Sequence, residues 1–135
     1  MRMHIKTSVL NSKAASTPKL VYEEFAGLAK TDQESFWILA LDTKNKILAK
    51  EMISLGGIDS ASVDLKILFK RLLTTGASGF VCAHNHPSGE PAPSEDDKIL
   101  TKTIGEAARL LDIKFLDHVI VGDDSYHSFK EAGAM

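Results

Sequence analysis

The run Phe36-Trp37-Ile38-Leu39-Ala40-Leu41 limits most what this chain can become. Consecutive apolar residues without polar alternation read as a strand covered on both faces. Such a strand lies inside a sheet, with other chain packed over each side. The flanking sequence supplies those layers. Thr17 is a good N-cap and Pro18 suits the first position of a helix. Leu20, Val21, Phe25 and Leu28 follow at helical spacing, and the pattern stops after Ala29. Lys30–Gln33 is a polar linker, and Glu34 opens the apolar strand. Asp42–Asn45 reads as a turn, Lys46–Leu55 as a second strand, and Gly56-Gly57 as its end. Ser60 or Ser62 caps a helix whose buried side is Val63, Leu65, Ile67, Leu68, Leu72 and Leu73. Gly76 closes it in a left-handed cap. Ser78–Ala83 is a short buried strand. Ser94–Leu111 is the longest helix, with Ile99, Leu100, Ile104, Ala107, Ala108, Leu110 and Leu111 inward. Ile113–Val121 is a strand, Gly122–Asp124 a turn, and Ser125–Phe129 a last edge strand. This order predicts an α/β (α+β) fold: a mixed sheet with helices on both faces.

At 135 residues the chain makes one domain with a real core. Residues 1–17 read as a loose lead-in, although Ile5–Leu10 could pair as an edge strand, and 18–135 as the single domain. An edge at 5–10 or 125–129 could join two copies into a homo-oligomer. The formal charge of -2 provides no basic field, so direct DNA binding is not expected. No apolar run reaches the roughly 18 residues of a membrane span, and residues 1–13 lack the apolar core of a signal peptide. The single cysteine, Cys82, excludes an internal disulfide and fits a reducing cytoplasm. Its apolar neighbours make it a core residue rather than a nucleophile. His4 and His127 read as surface residues.

Chemistry concentrates in His84–Asp97. On an extended segment, residues i and i+2 point to one side, so His84 and His86 can face one cation. The loop 87–93, stiffened by Pro87, Pro91 and Pro93 and turned by Gly89, leads back to a helix start. Asp97 in that first turn is well placed as a third ligand. Ser94-Glu95-Asp96-Asp97 is also a capping box, so Ser94 and Asp97 have a purely structural reading as well. Both can hold together. The letters His-Asn-His are an accident, since a nuclease of the HNH type needs those residues far apart.

The whole spacing is more specific. His84-x-His86, then Ser94 and Asp97, resembles the JAMM motif of the JAB/MPN metalloprotease superfamily. His84–Gly89, Pro93–Asp97, Thr101 and Leu116–Val121 together resemble its RadC-like branch, over about residues 34–130. The resemblance implies a JAB/MPN-like (cytidine-deaminase-like) fold. It implies zinc on His84, His86 and Asp97, Ser94 polarising a substrate carbonyl, and an upstream glutamate accepting a proton from zinc-activated water. That glutamate matches Glu34 in Glu34-Ser35-Phe36; Asp32, Asp42 and Glu51 are the acidic alternatives. Zinc is preferred over iron or manganese from ligand type and family. Asp117-His118, a polar pair inside an apolar strand, is either a satisfied structural pair or, by the resemblance, a support that orients a ligand histidine.

The expected function is therefore a zinc-dependent hydrolase, a metallopeptidase or isopeptidase, with a peptide or isopeptide substrate recognised by loops 56–62 and 122–125. Two alternatives stand beside it: a DNA-repair-associated RadC-like protein and a non-catalytic interaction module. Longer family members carry an N-terminal helix-hairpin-helix segment, for which this chain has no room. A nucleobase deaminase is excluded, because its Pro-Cys-x-x-Cys run cannot be built with one cysteine.

Overall fold

The computed structural model describes residues 13–57 and 62–135. Five strands, β1 (Ser35–Leu41), β2 (Ile47–Leu55), β3 (Gly79–Asn85), β4 (Lys114–Val121) and β5 (Tyr126–Ser128), form one sheet in the order β2-β1-β3-β4-β5. Only β3 and β4 run parallel. A parallel neighbour needs a long crossover, and here helix α3 (Glu95–Leu110) provides it. Helices α1 (Pro18–Phe25) and α2 (Leu65–Thr75) complete the layers.

The apolar run of β1 is explained by two cores. Phe36, Ile38 and Ala40 face one side, where they meet Phe80 and Cys82 of β3, Leu68 and Leu72 of α2, and Leu100 and Ile104 of α3. Leu39 and Leu41 face the other side, with Val81, Ala83, Val119, Val121 and the α1 residues Val21 and Phe25. A strand alternates its side chains, so a strand buried twice must be apolar at every position. The mixed sheet with helices on both faces is the fold expected from the sequence.

Several boundaries differ from expectation. Thr17 caps α1, its Oγ1 accepting from Leu20 N at 3.2 Å. The helix ends at Phe25, and Ala26–Lys30 winds as a tighter 3₁₀ turn. Ser62 does not cap α2: Asp64 does, its Oδ1 accepting from Lys66 N at 2.9 Å and Ile67 N at 3.4 Å. A carboxylate there also complements the helix dipole. Ser60 lies outside the described residues. Ile67 and Leu73 are 40% and 58% exposed, and the buried stripe is Leu68, Phe69 and Leu72. Gly76 does adopt the left-handed cap, at φ 70°.

On α3, Ile99, Leu110 and Leu111 face solvent, while Asp97, Leu100, Thr101, Ile104 and Ala108 point inward. Two of those inward residues are polar, so a count of apolar residues alone sets the stripe askew. The segment before Thr17 is not loose where it is described. Ile47 N donates to Lys13 O at 3.1 Å and Ala15 N to Asn45 O at 2.9 Å, and Ala15 is buried. The expected edge strand 5–10 and His4 lie outside the described residues. His127 is half-buried, edge-on to Phe129 at 5.0 Å. Among the described residues, no helix is long and apolar enough to cross a membrane.

Candidate metal centre

Strand β3 runs two residues beyond its expected end and takes in His84 and Asn85, both fully buried. His84 sits opposite Phe36 of β1, whose ring stacks on the imidazole at 5.7 Å. His86 follows just outside the strand. The loop then folds back: Gly89 N donates to His86 O at 2.8 Å, and Asp123 N donates to Gly89 O at 3.1 Å. Gly122 makes that approach possible, since a methyl group there would lie 2.5 Å from Gly89 O and 2.9 Å from Pro91 Cδ. The loop ends in a full capping box. Ser94 Oγ accepts from Asp97 N at 3.0 Å, and Asp97 Oδ2 accepts from Ser94 N at 2.8 Å.

These elements bring three acceptor groups to one point. His84 Nε2 and His86 Nε2 are 3.2 Å apart. Asp97 places Oδ1 3.2 Å from the first and Oδ2 3.1 Å from the second. In each imidazole the other nitrogen is already used: His86 Nδ1 donates to Glu90 O at 2.8 Å, and His84 Nδ1 lies 2.8 Å from His118 Nε2. Both Nε2 atoms then carry lone pairs turned toward a carboxylate. Acceptors do not converge this way without a positive charge between them, and a cation or a proton satisfies them. Around a tetrahedral ion with bonds of about 2.0–2.1 Å, ligand atoms stand roughly 3.3–3.4 Å apart. The observed spacings come close to this, so the donor set fits a small divalent cation.

A buried chain of hydrogen bonds stands behind His84. His118 Nδ1 lies 2.6 Å from Thr101 Oγ1, and Thr101 Oγ1 donates to Asp97 O at 2.7 Å. Because Thr101 gives its only hydrogen to a carbonyl, the chain has one self-consistent direction. His84 Nδ1–H donates to His118 Nε2, and His118 Nδ1–H donates to Thr101. Burial holds His118 well below its usual pKa, which matches this neutral role. The pair Asp117-His118 therefore divides its work. His118 orients His84. Asp117 is structural, accepting from His118 N at 2.7 Å, Lys130 N at 3.0 Å and Ser128 Oγ at 2.6 Å.

Glu34 is half-buried at the entry to β1. Its carboxylate joins His84 and His86 in a group whose ligand atoms all lie within 4.8 Å of one another. Two of the acidic alternatives are occupied elsewhere, and the third lies apart. Asp42 Oδ1 caps its turn, accepting from Lys44 N and Lys46 N at 2.8 and 3.0 Å. Glu51 pairs with Arg71. Asp32 is exposed beside Leu28, in a groove that Trp37 and Met52 also line. Burial pushes the Asp97 carboxyl up, but its close contacts with the His84 and His86 imidazoles outweigh this and hold it well below the usual carboxylate range. His86 is raised, chiefly by its hydrogen bond to Asp97 and against the effect of burial. In the metal-free protein a proton on His86 thus stands where a cation would go. Cys82 lies in the core, its thiol pushed up by burial and by Asp117.

Two residues of the centre had no assigned role in the sequence reading. Thr101 enters the sequence pattern only as one of the residues that carry the RadC-like resemblance, with no task of its own. Asn85 belongs to the His84–Gly89 run that carries the same resemblance, and its side chain makes four hydrogen bonds to the segment that carries Glu34. A polar residue inside a strand that must be buried twice was the available signal. A groove of about 770 Å³, lined by α3 from Lys98 to Arg109 and by Asp112–Phe115, contains none of the histidines or carboxylates of this cluster.

The comparisons with known proteins agree with the geometry. Residues 12–134 match the model of the RadC-like JAB domain. A UPF0758 protein of Desulforudis audaxviator is 45% identical over 116 residues, 82% of this chain and 50% of that protein. One from Flavobacterium johnsoniae is 43% identical over 106 residues, 78% of this chain and 46% of that protein. One from Methanosarcina mazei is 40% identical over 119 residues, covering 87% and 52%. The chain spans about half the length of the curated relatives it matches. With a matching domain model over nearly its whole length, and with Glu34, His84 and His86 in a group that could hold a metal ion, this chain belongs to the RadC-like JAB domain family.

Proposed function

We propose that this domain is a metal-dependent hydrolase of JAMM type, with zinc as its ion and a peptide or isopeptide bond as its target. The observation that carries the reading is the convergence of His84 Nε2, His86 Nε2 and the Asp97 carboxylate at 3.1–3.2 Å, with Glu34 within reach of the same point. His84, His86 and Asp97 would hold the ion. When bound, such an ion supplies Lewis acidity and lowers the pKa of coordinated water toward ~7.

The remaining work falls to the chain itself. Asp97 is kept ionised by its two imidazole partners, so the site retains its negative charge at neutral pH. Glu34 is the group placed to accept a proton from water. It is chosen over Asp97 for this task because Asp97 already touches both imidazoles and the Ser94 amide. The cap uses Ser94 only as an acceptor, which leaves its hydroxyl hydrogen to donate to a substrate carbonyl as charge develops on the oxygen. Direct contact with DNA is no part of the proposal, given the net charge of -2.

Elemental analysis of the wild type beside Asp97→Ala and Glu34→Gln tests the assignment. One zinc per chain is expected in the wild type and in Glu34→Gln, and loss in Asp97→Ala. Cleavage of peptide and isopeptide panels by the wild type but not by Glu34→Gln is then expected. A wild type that holds no stoichiometric metal after zinc is added back would sink the hydrolase reading and leave an interaction module. If metal follows Glu34 rather than Asp97, the two carboxylates exchange roles.

A further inference from the structure

We propose that Asn85 is a positioning residue that sets the place of Glu34 relative to the two histidines. The inference rests on the reading of Glu34 as the proton acceptor.

Asn85 is the last residue of β3, between His84 and His86, and is fully buried. Successive strand side chains point to opposite faces, so Asn85 lies on the other side of the sheet from His84. There it uses its whole amide. Oδ1 accepts from Ser35 N at 2.9 Å and from Ser35 Oγ at 3.3 Å. Nδ2 donates to Gln33 O at 3.0 Å and Thr31 Oγ1 at 3.2 Å. The backbone polarity of Gln33 C=O and Ser35 N–H fixes which end of the amide is which. One side chain therefore holds the peptide groups immediately before and after Glu34. Trp37 Nε1 donates to Ser35 Oγ at 2.8 Å and steadies the same corner.

The need for such a clamp follows from the backbone. Residues 31–34 belong to no helix or strand. A group that exchanges a proton in the site must be held within roughly 0.5 Å of its working position. Asparagine suits the task because it accepts and donates at the same length. Aspartate would turn a second acceptor toward Gln33 O, and glutamine would be one methylene too long. Because the amide stands between the two histidines in sequence, the strand that places His84 also places Glu34.

The test uses Co²⁺-loaded protein, whose visible band is followed against pH, together with hydrogen exchange at the Ser35 amide. Wild type is compared with Glu34→Gln, Asn85→Ala and the double variant. Asn85→Ala is expected to keep one Co²⁺ per chain and to exchange the Ser35 amide roughly tenfold faster. Its pH midpoint should move in the same direction as that of Glu34→Gln, by about half a unit or more. The double variant should move no further than Glu34→Gln alone. A midpoint unmoved in Asn85→Ala, where Glu34→Gln does move it, overturns the inference. If Glu34→Gln leaves the midpoint in place, the proton-acceptor reading of Glu34 fails instead. Exchange at Ser35 then decides the clamp: faster exchange in Asn85→Ala upholds it, and unchanged exchange overturns it. Should Asn85→Ala fail to fold, Thr31→Val removes one of the four bonds at an exposed site. It should give a smaller shift of the same sign, and no shift in either readout counts against the clamp.

Discussion

Thr101→Val is the sharpest test of the chain behind His84. Valine has nearly the shape of threonine, so little cavity forms and the hydroxyl is the main thing lost. That hydroxyl lies 2.6 Å from His118 Nδ1 and gives its hydrogen to Asp97 O at 2.7 Å, at a position that is buried along with His118. Without it, His118 has two courses. It can keep its hydrogen on Nδ1, unpaired and buried, at a cost of about 1–3 kcal/mol in stability. Or it can move the hydrogen to Nε2, where it faces His84 Nδ1. His84 must then become an acceptor at Nδ1 and carry its own hydrogen on Nε2, the atom 3.2 Å from Asp97. That state cannot ligate a cation. Loss of such outer support typically costs about 10–100-fold in metal affinity. Urea denaturation of the metal-free protein and Zn²⁺ affinity by competition with a chelator read the two courses separately. A variant within about 0.3 kcal/mol in stability and about twofold in affinity of the wild type would refute the directed chain.

Asp117→Ala should destabilise the fold by about 2–5 kcal/mol, because it strands the amides of His118 and Lys130 and the hydroxyl of Ser128. An unchanged denaturation midpoint would contradict its structural role. Gly122→Ala should cost about 1–3 kcal/mol and weaken metal binding, since its methyl would meet the Gly89 carbonyl at 2.5 Å and push the histidine loop away. Wild-type affinity in that variant would show that the loop yields freely. The stability of the metal-free protein should fall with pH below about 6.5. There the unfolded chain takes up a proton that His118, with its depressed native pKa, refuses. His86 is raised, so it is protonated in both states over that range and adds no slope. The Asp97 contribution is lost only at more acid pH, as pH falls through its depressed native value. The expected slope approaches about 1.4 kcal/mol per pH unit for this one proton as pH falls below the unfolded histidine value near 6.5. His118→Gln should abolish it, and a slope that survives the substitution would place the proton elsewhere.

What could be read in the sequence was local or strongly patterned. The double burial of β1, the Thr17 and Gly76 caps and the Ser94–Asp97 box are each written in a few adjacent residues. They survive because no distant contact has to approve them. The helix-start reading of Asp97 leaves room for the other: the geometry that satisfies the cap also turns Asp97 Oδ2 to within 3.1 Å of His86. What was not legible depends on partners far along the chain. The inner stripe of α3 starts with Asp97 and Thr101, which an apolar count discards. Asp64 displaced the expected serine caps because the helix begins later than the Ser60 and Ser62 readings assumed. Asn85 and Thr101 acquire meaning only when residues 31–35 and His118 lie beside them, and no spacing within one element reveals that.

The register of β1 against β3 belongs to the site as much as any ligand does. The antiparallel pairing sets Phe36 opposite His84, which brings the start of β1 to the end of β3 and so carries Glu34 to the histidines. The parallel crossover through α3 then returns Asp97 to the same end of the sheet, beside the carboxyl ends of β3 and β4. Crevices at such strand ends are where open sheets most readily hold ligands. A slip of one residue in β1 would turn Glu34 to the opposite face. A slip of two would keep the face but move it by about 6.8 Å, beyond the span that now joins it to the imidazoles. The Asn85 amide is paired to Gln33, Ser35 and Thr31 in one register only. The buried asparagine between the two histidines is thus the point at which the fold's pairing and the geometry of the metal centre become the same constraint.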